Sequence, residues 1–373
     1  MVRRALLVGL ALGPITIALH YALDTDETVE FVLASLSLIP LAWLIGEATE
    51  HAAERTGPGI GGFLNATFGN APELIIALIA VHDGLTEVVR GSLTGSVVGN
   101  LLLVLGFSLL VGPRDELDRL SSLTSLGTIA VALLLFLIPS IPSWDGNPDR
   151  GSIADISIPV SIALLVVYVA VTWHSLRRHR AMYVPATEHG ASWSLSMSLA
   201  VLGAATVVTA LVAELLVGSL EAFADRVGLT DFFVAAVIVA IVGNAAEHGG
   251  AVVVARRGKA KLASEIALAS AAQVAVFLVP AVVLLSLVVE PLALGFRQVE
   301  LAALAGGLIL TAAVLWDGRA SKGRGLILLL GYTAIVVAFY GVGDREDKAS
   351  PSSTPVIAST VSYAVSNLSK NVR

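Results

Sequence analysis

Eleven stretches of this chain run for about twenty residues with scarcely a charge, and that constrains the fold more than any other feature. They lie at 5–23, 30–46, 60–82, 91–112, 122–142, 153–174, 193–216, 229–255, 262–289, 296–316 and 324–342. In hydrocarbon every backbone N–H and C=O must find its partner within the chain, and a stretch of this length does so as a helix. The expected fold class is therefore all-α and integral to a membrane, with eleven transmembrane helices. Composition agrees: 56% of the 373 residues are hydrophobic and 14% charged, against roughly 25% charged in soluble domains. The absence of cysteine excludes a disulfide scaffold and thiolate metal sites. A net charge of −6 argues against nucleic acid as a partner.

Arg3-Arg4 precedes the first stretch, but its apolar run is too long for a cleaved leader and lacks a small-residue cleavage site. A retained first helix is expected. Orientation follows from basic residues, which concentrate in cytoplasmic loops. With the N-terminus in the cytoplasm, inner loops hold 15 of the 23 Lys and Arg, from Arg3 and Arg4 through Arg177-Arg178-His179-Arg180 to Arg324. The outer loops hold Arg90, Arg150, Arg226 and Arg297. The tail after Gly343 is then outside.

Two segments echo each other, Gly69-Asn70-Ala71-Pro72-Glu73 and Gly243-Asn244-Ala245-Ala246-Glu247, at an offset of 174 residues that Ser96 and Ser270 share. Residues 1–25 then form an extra first span, 26–180 one five-helix repeat, 181–343 a second and 344–373 a polar tail. Five is odd, so the second copy enters from the opposite side. Inverted repeats with interrupted helices are how many secondary transporters build a site at the bilayer midplane.

Glu73 is the one ionisable residue between Pro58 and Val81; Glu247 and His248 are the ones between Phe232 and Ala255. A charge near a helix centre costs about 2.5–3.5 kcal/mol on insertion scales, so each should face a partner, a cavity or an ion. A protonated Glu bonded to a neighbouring helix would explain one such residue; two at corresponding repeat positions point to an ion. Gly69 and Gly243 permit an unwound turn, Pro72 frees carbonyl oxygens, and Asn70 and Asn244 add neutral oxygens. Carboxylate, carbonyl and amide oxygens form a hard set that suits Ca²⁺ or Mn²⁺ rather than Zn²⁺ or Cu²⁺.

These residues resemble the cation/proton exchangers of the calcium:cation antiporter superfamily. The likeness rests on Gly62-Phe63-Leu64-Asn65-Ala66-Thr67-Phe68-Gly69-Asn70-Ala71-Pro72-Glu73-Leu74-Ile75 and Gly243-Asn244-Ala245-Ala246-Glu247-His248, and extends through Gly95–Leu102 and Ala269–Val274. It implies an eleven-helix antiporter exporting Ca²⁺ in exchange for protons, with Glu73 and Glu247 as shared carriers of ion and proton. It further implies carbonyls from Gly69 and Gly243, with Asn70, Asn244, Ser96, Asn100, Ser270 and Gln273 as supporting polar groups. Pro72 departs from the proton-coupled pattern and is found in sodium-coupled relatives, which carry Thr-Ser where this chain has Gly-Asn. The loop after the sixth span is basic, unlike the acidic run of some eukaryotic members.

Glu47 and Glu50 at the inner end of the second span, and Glu214 near the outer end of the seventh, are candidates for an ion vestibule or for solvated helix ends. His248 is expected to orient Glu247 by a hydrogen bond. Trp43, Trp173, Trp193 and Trp316 fall near span ends, where tryptophan anchors helices at the interface. The expected protein is a Ca²⁺/H⁺ antiporter of a prokaryotic plasma membrane, neither an enzyme nor dependent on a cofactor; its partners are Ca²⁺, H⁺ and lipid, with a homo-oligomer left open. A sodium-coupled Ca²⁺ exchanger and, more distantly, a cation channel are the alternatives.

Overall fold

The computed structural model describes residues 2–23, 25–145, 147–179 and 193–343, and their regular structure is helical. The loop at 180–192 and the tail at 344–373, both used in the topology expectation, lie outside these residues. The first apolar stretch forms α1 (Val2–Gly9) and α2 (Leu12–Ala22). Next come α3 (Glu27–Phe68), α4 (Ala71–His82) and α5 (Thr86–Val98), which continues through a π turn (Gly99–Val104) into α6 (Leu105–Val111). α7 (Arg119–Ser143) and α8 (Gly151–His179) complete the first half.

The second half opens with α9 (Leu195–Gly218) and the short α10 (Leu220–Val227). α11 (Asp231–Phe233), a π turn (Val234–Val239) and α12 (Ala240–Gly243) lead to α13 (Ala245–Arg256). α14 (Ala260–Gln273) runs through a third π turn (Val274–Leu278) into α15 (Val279–Ser286), followed by α16 (Gln298–Val314) and α17 (Lys322–Tyr340).

All eleven apolar stretches are thus helical. Among the described residues eight helical segments are long and apolar enough to cross a membrane, and α10 joins the 231–243 segment at a bend of 109°. Local sequence sets several starts. Asp118 accepts from the N–H groups of Leu120 and Ser121 to open α7, and Ser194 does the same for α9 through Met197. Thr86–Val111 and Ala260–Ser286 lie innermost, with 78% and 67% of their most apolar windows buried, whereas Arg3–Ala22 is peripheral at 11%.

The structure departs from expectation in two places. The sequence reading separates spans at 30–46 and 60–82, yet α3 stays helical from Glu27 to Phe68, through Pro58. Proline removes one helical hydrogen bond, a loss that surrounding helices can absorb in a membrane protein. The other is the connection before α16, which is a buried extended segment and not a surface loop. Leu292 to Phe296 are all buried. Their backbone is laced to α7 and α8: Ser140 Oγ donates to Leu294 O at 3.0 Å, Leu294 N donates to Ser157 Oγ at 2.9 Å, and Trp144 Nε1 donates to Phe296 O at 3.0 Å.

That segment closes over a buried charge lattice. Arg90, 1% exposed, donates to Asp149 at 2.7 and 3.0 Å and to Glu87 at 2.6 Å. Arg297 pairs with Glu87 and lies 4.8 Å over the Phe232 ring. Glu300, fully buried, accepts from Thr94 Oγ1 at 3.1 Å and from Arg297 N at 2.7 Å. Arg90 and Arg297, counted from sequence as outer-loop charges, are structural.

The two halves interlock. α4 packs against α9, while α13 packs against α3 and α6. α5 crosses the π turn of Val234–Val239 so closely that a Cβ on Gly95 would lie 1.9 Å from Ala236 O. Only a residue without a side chain permits that approach, the familiar use of small residues between membrane helices.

Candidate ion site

Both repeated motifs sit at helix breaks. α3 ends at Phe68 and α4 begins at Ala71; α12 ends at Gly243 and α13 begins at Ala245. The new helices start from the asparagine carbonyls, Leu74 N to Asn70 O at 3.0 Å and His248 N to Asn244 O at 2.9 Å. Pro72, in the first turn of α4, has no N–H to offer and suits that position. Glu73 and Glu247 each occupy the first turn of the new helix.

The breaks meet. Glu73 is buried and lies along Gly243, where a Cβ would stand 3.2 Å from Glu73 Cγ and 3.7 Å from its Cδ and Oε1. Gly243 therefore makes room for the carboxylate of the opposite half. Glu247 follows Gly243 by four residues, in the first turn of α13. Glu247 is half-buried and accepts a short hydrogen bond from Ser270 Oγ on α14.

Around them runs a cross-half amide network. Asn244 Nδ2 donates to Ser96 Oγ at 2.8 Å and to Ala240 O at 3.0 Å. Asn100, in the π turn after α5, donates to Ser96 O at 3.0 Å and to Asn244 Oδ1 at 3.4 Å. The side chain of Asn244 is thus engaged within the protein, tying the break in the second half to the helix that carries Ser96. Asn70 is buried at the other break, and Gln273 is half-buried at the end of α14.

Glu73 Oε2, Asn100 Oδ1 and His248 Nε2 are buried here with no hydrogen-bond partner among the described residues. An unsatisfied buried polar atom costs about 1–3 kcal/mol, so a cluster of them marks a place that takes a ligand or water. Among the described residues no group of three His, Asp or Glu side chains converges on one point. A cation here would rest on two carboxylates and neutral oxygens.

Other expected residues lie elsewhere. His248 does not bond Glu247; its ring points toward Gly99, where a Cβ would stand 3.9 Å from its Cε1, and Ser270 holds the carboxylate instead. Glu47 pairs with Arg3 at 2.5 Å, fastening the N-terminal helix to α3, and Glu50 is exposed. Glu214 is exposed in a groove of about 240 Å³ shared with Leu78, Ile79, His82, Asp83 and Val289. Trp173 and Trp316 are exposed at 58% and 68%, Trp43 is half-buried, and Trp193 packs against His51 in a tilted pair with ring centroids 4.8 Å apart. Sequence reasoning passed over Thr67, whose Oγ1 is buried and without a partner among the described residues one turn before Asn70. It also passed over the Arg90–Glu300 lattice, although Arg297 and Glu300 both fall within an apolar stretch and could have been flagged as intramembrane charges.

Comparison with known proteins bears on the same residues. A family model described as sodium/calcium exchanger protein matches residues 27–177 and again 197–341. The Ca²⁺/H⁺ antiporter ChaA of Bacillus subtilis is 37% identical over 345 residues, covering 89% of this chain and 96% of that protein. The vacuolar cation/proton exchanger 1a of Oryza sativa is 35% identical over 339 residues, covering 84% and 75%. The solved structure of native YfkE superposes with a TM-score of 0.77 at 34% identity, covering 90% of this chain and all of that one.

Proposed function

Because this chain belongs to the sodium/calcium exchanger protein family, we propose that it is a secondary active antiporter that exports Ca²⁺ in exchange for protons. Proton coupling is favoured by its relatives, among them the Bacillus subtilis Ca²⁺/H⁺ antiporter and the rice cation/proton exchanger. The observation that carries the mechanism is the meeting of the two breaks, with Glu73 seated on Gly243 and Glu247 held by Ser270. Two ionised carboxylates, with the carbonyls of Gly69 and Gly243 as further oxygens, make a site for Ca²⁺ or Mn²⁺. Carboxylates must lose their protons to bind a metal, so binding releases protons and protons displace the ion. The same pair then carries Ca²⁺ one way and H⁺ the other, with no separate proton path.

The fold is read as eleven passes, an extra first helix followed by inverted five-helix repeats at 26–180 and 181–343. The match of one family model to both halves supports the repeat, as do the helix breaks before Ala71 and Ala245 and the π turns that begin at Gly99 and Val274, at nearly the same offset. The N-terminus is assigned to the cytoplasm and the C-terminus to the outside of a plasma membrane, and α3 and α9 are assigned as the packed pair that slides to expose the site alternately. Glu50 and Glu214 remain vestibule candidates on this reading.

The test is radiolabelled calcium uptake into proteoliposomes. An imposed pH gradient should drive accumulation against the calcium gradient. Uptake driven by sodium alone would replace proton coupling with sodium coupling, and dissipation without uphill accumulation would make the protein a channel.

A further inference from the structure

At one end of the molecule three inter-helix loops join into a single surface. The α6–α7 and α16–α17 loops pair through an isolated bridge between Glu116 and Arg319, with Leu117 N donating to Gly318 O at 2.7 Å and Ala320 N to Asp115 O at 2.8 Å. The α13–α14 loop is tied on by Lys261 Nζ, 3.6 Å from Asp118. Gly318, at φ +71°, supplies the left-handed residue that lets the α16–α17 loop turn back to make the bridge.

This surface is strongly basic in an acidic protein. Residues 113–119, 256–261 and 316–324 contain nine Lys or Arg against four Asp or Glu, a net charge of +5, while the whole chain carries −6. Two of the four acids are spent inside the platform: Asp118 caps α7, and Asp317 accepts from Arg324 Nη2 at 2.6 Å. Arg114, Arg256, Arg257, Lys259 and Lys322 are exposed and make no ion pair with a described residue. Beside them Trp316 is 68% exposed, with the Arg119 guanidinium 5.4 Å over its ring. An exposed tryptophan at a helix end sits at headgroup height, so the five free cations stand where lipid phosphates are found. Clusters of four to eight basic residues next to membrane helices attract anionic lipid.

We propose that this three-loop platform is a preassembled binding surface for the headgroups of anionic phospholipids. The bridge, and the backbone hydrogen bonds that close the turn at Arg257–Lys259, set the spacing of the loops that carry these cations before lipid arrives. Each basic side chain near an anionic surface contributes about fivefold in affinity.

The test uses the full-length protein in neutral detergent, titrated with brominated phosphatidylglycerol or phosphatidylcholine while tryptophan fluorescence is read. Phosphatidylglycerol should quench saturably, less so in high salt, and phosphatidylcholine should not. The Arg114→Gln/Arg256→Gln/Arg257→Gln/Lys259→Gln variant should lose about two to three orders of magnitude in affinity, and Trp316→Phe should remove most of the quenched signal. If the quadruple variant does not elute as a single species, Arg256→Gln/Arg257→Gln supplies the comparison, with an expected loss of roughly 25-fold. Undiminished phosphatidylglycerol affinity in the charge variants, or equal affinity for phosphatidylcholine, overturns the proposal. Full displacement by free glycerol phosphate at the lipid's own concentration would overturn lipid as the occupant.

Discussion

In a Gly95→Ala variant the new methyl group would arrive 1.9 Å from Ala236 O and 2.7 Å from Ala240 Cβ. A carbon–oxygen contact settles near 3.3 Å, so α5 and the 234–243 segment must part by about 1.4 Å or deform by as much. The obstruction is backbone, which cannot swing aside as a side chain would. One residue on, Asn244 Nδ2 donates to Ser96 Oγ at 2.8 Å; the same parting would stretch it to about 4.2 Å, beyond hydrogen-bond range. Overpacking costs about 1–3 kcal/mol and the lost hydrogen bond about 0.5–1.5, together roughly 2–4 kcal/mol. Thermal unfolding of the purified protein in detergent should show a melting temperature lower by about 3–5 °C, with Ca²⁺ exchange in proteoliposomes sharply reduced because the Ser96–Asn244 tie lies at the site. Gly203→Ala is the control, since a Cβ there meets nothing within 4 Å and alanine favours the helix. A Gly95→Ala protein that melts with wild type and exchanges normally would refute the close crossing and the tie it supports.

Glu73→Gln and Glu247→Gln should each abolish exchange while leaving the melting temperature near wild type, because glutamine keeps the shape and removes the charge; near-normal flux in either variant would break up the shared site. Apparent Ca²⁺ affinity should fall as pH drops, by up to about tenfold per pH unit for each proton displaced. His248→Asn should retain that dependence, and a flat affinity between about pH 6 and 8 would leave proton coupling without a mechanism. Arg90→Met removes the buried cation that Asp149 and Glu87 share, although Thr86 and Arg297 still meet them, and should cost up to about 3–5 kcal/mol of stability, read as a fall in melting temperature without a change in ion selectivity. A single cysteine placed in the tail should label from the outside only, an experiment that the cysteine-free sequence keeps clean.

Hydrophobic runs announced the helices because lipid leaves the backbone no other choice, and the breaks were legible because Gly-Asn followed by an isolated Glu is costly in an uninterrupted helix. What sequence could not show was pairing at a distance. Arg90 and Asp149 are 59 positions apart, and Asn100 and Asn244 are 144 apart. Counting basic residues by loop treats each as solvated, so Arg90 and Arg297 looked like surface charges until the fold enclosed them. The gap between the spans at 30–46 and 60–82 closed for a related reason: the polar and proline residues there weaken a local helix signal, and the packed helices that sustain α3 through them are distant in sequence. The role expected of His248 went to Ser270 because adjacency in sequence places neighbours on different faces of a helix, whereas Ser270 reaches Glu247 from another helix altogether.

Since α4 rests on α9 and Glu73 rests on Gly243, neither half holds a finished site. During synthesis Glu73 enters the membrane about 170 residues before Gly243, an interval of roughly 10–35 s at ordinary elongation rates. For that time an acidic side chain must wait in the bilayer without the surface that later receives it. The first half therefore behaves as an open assembly intermediate, and the biogenesis machinery, rather than the finished transporter, is the first to meet its buried charge.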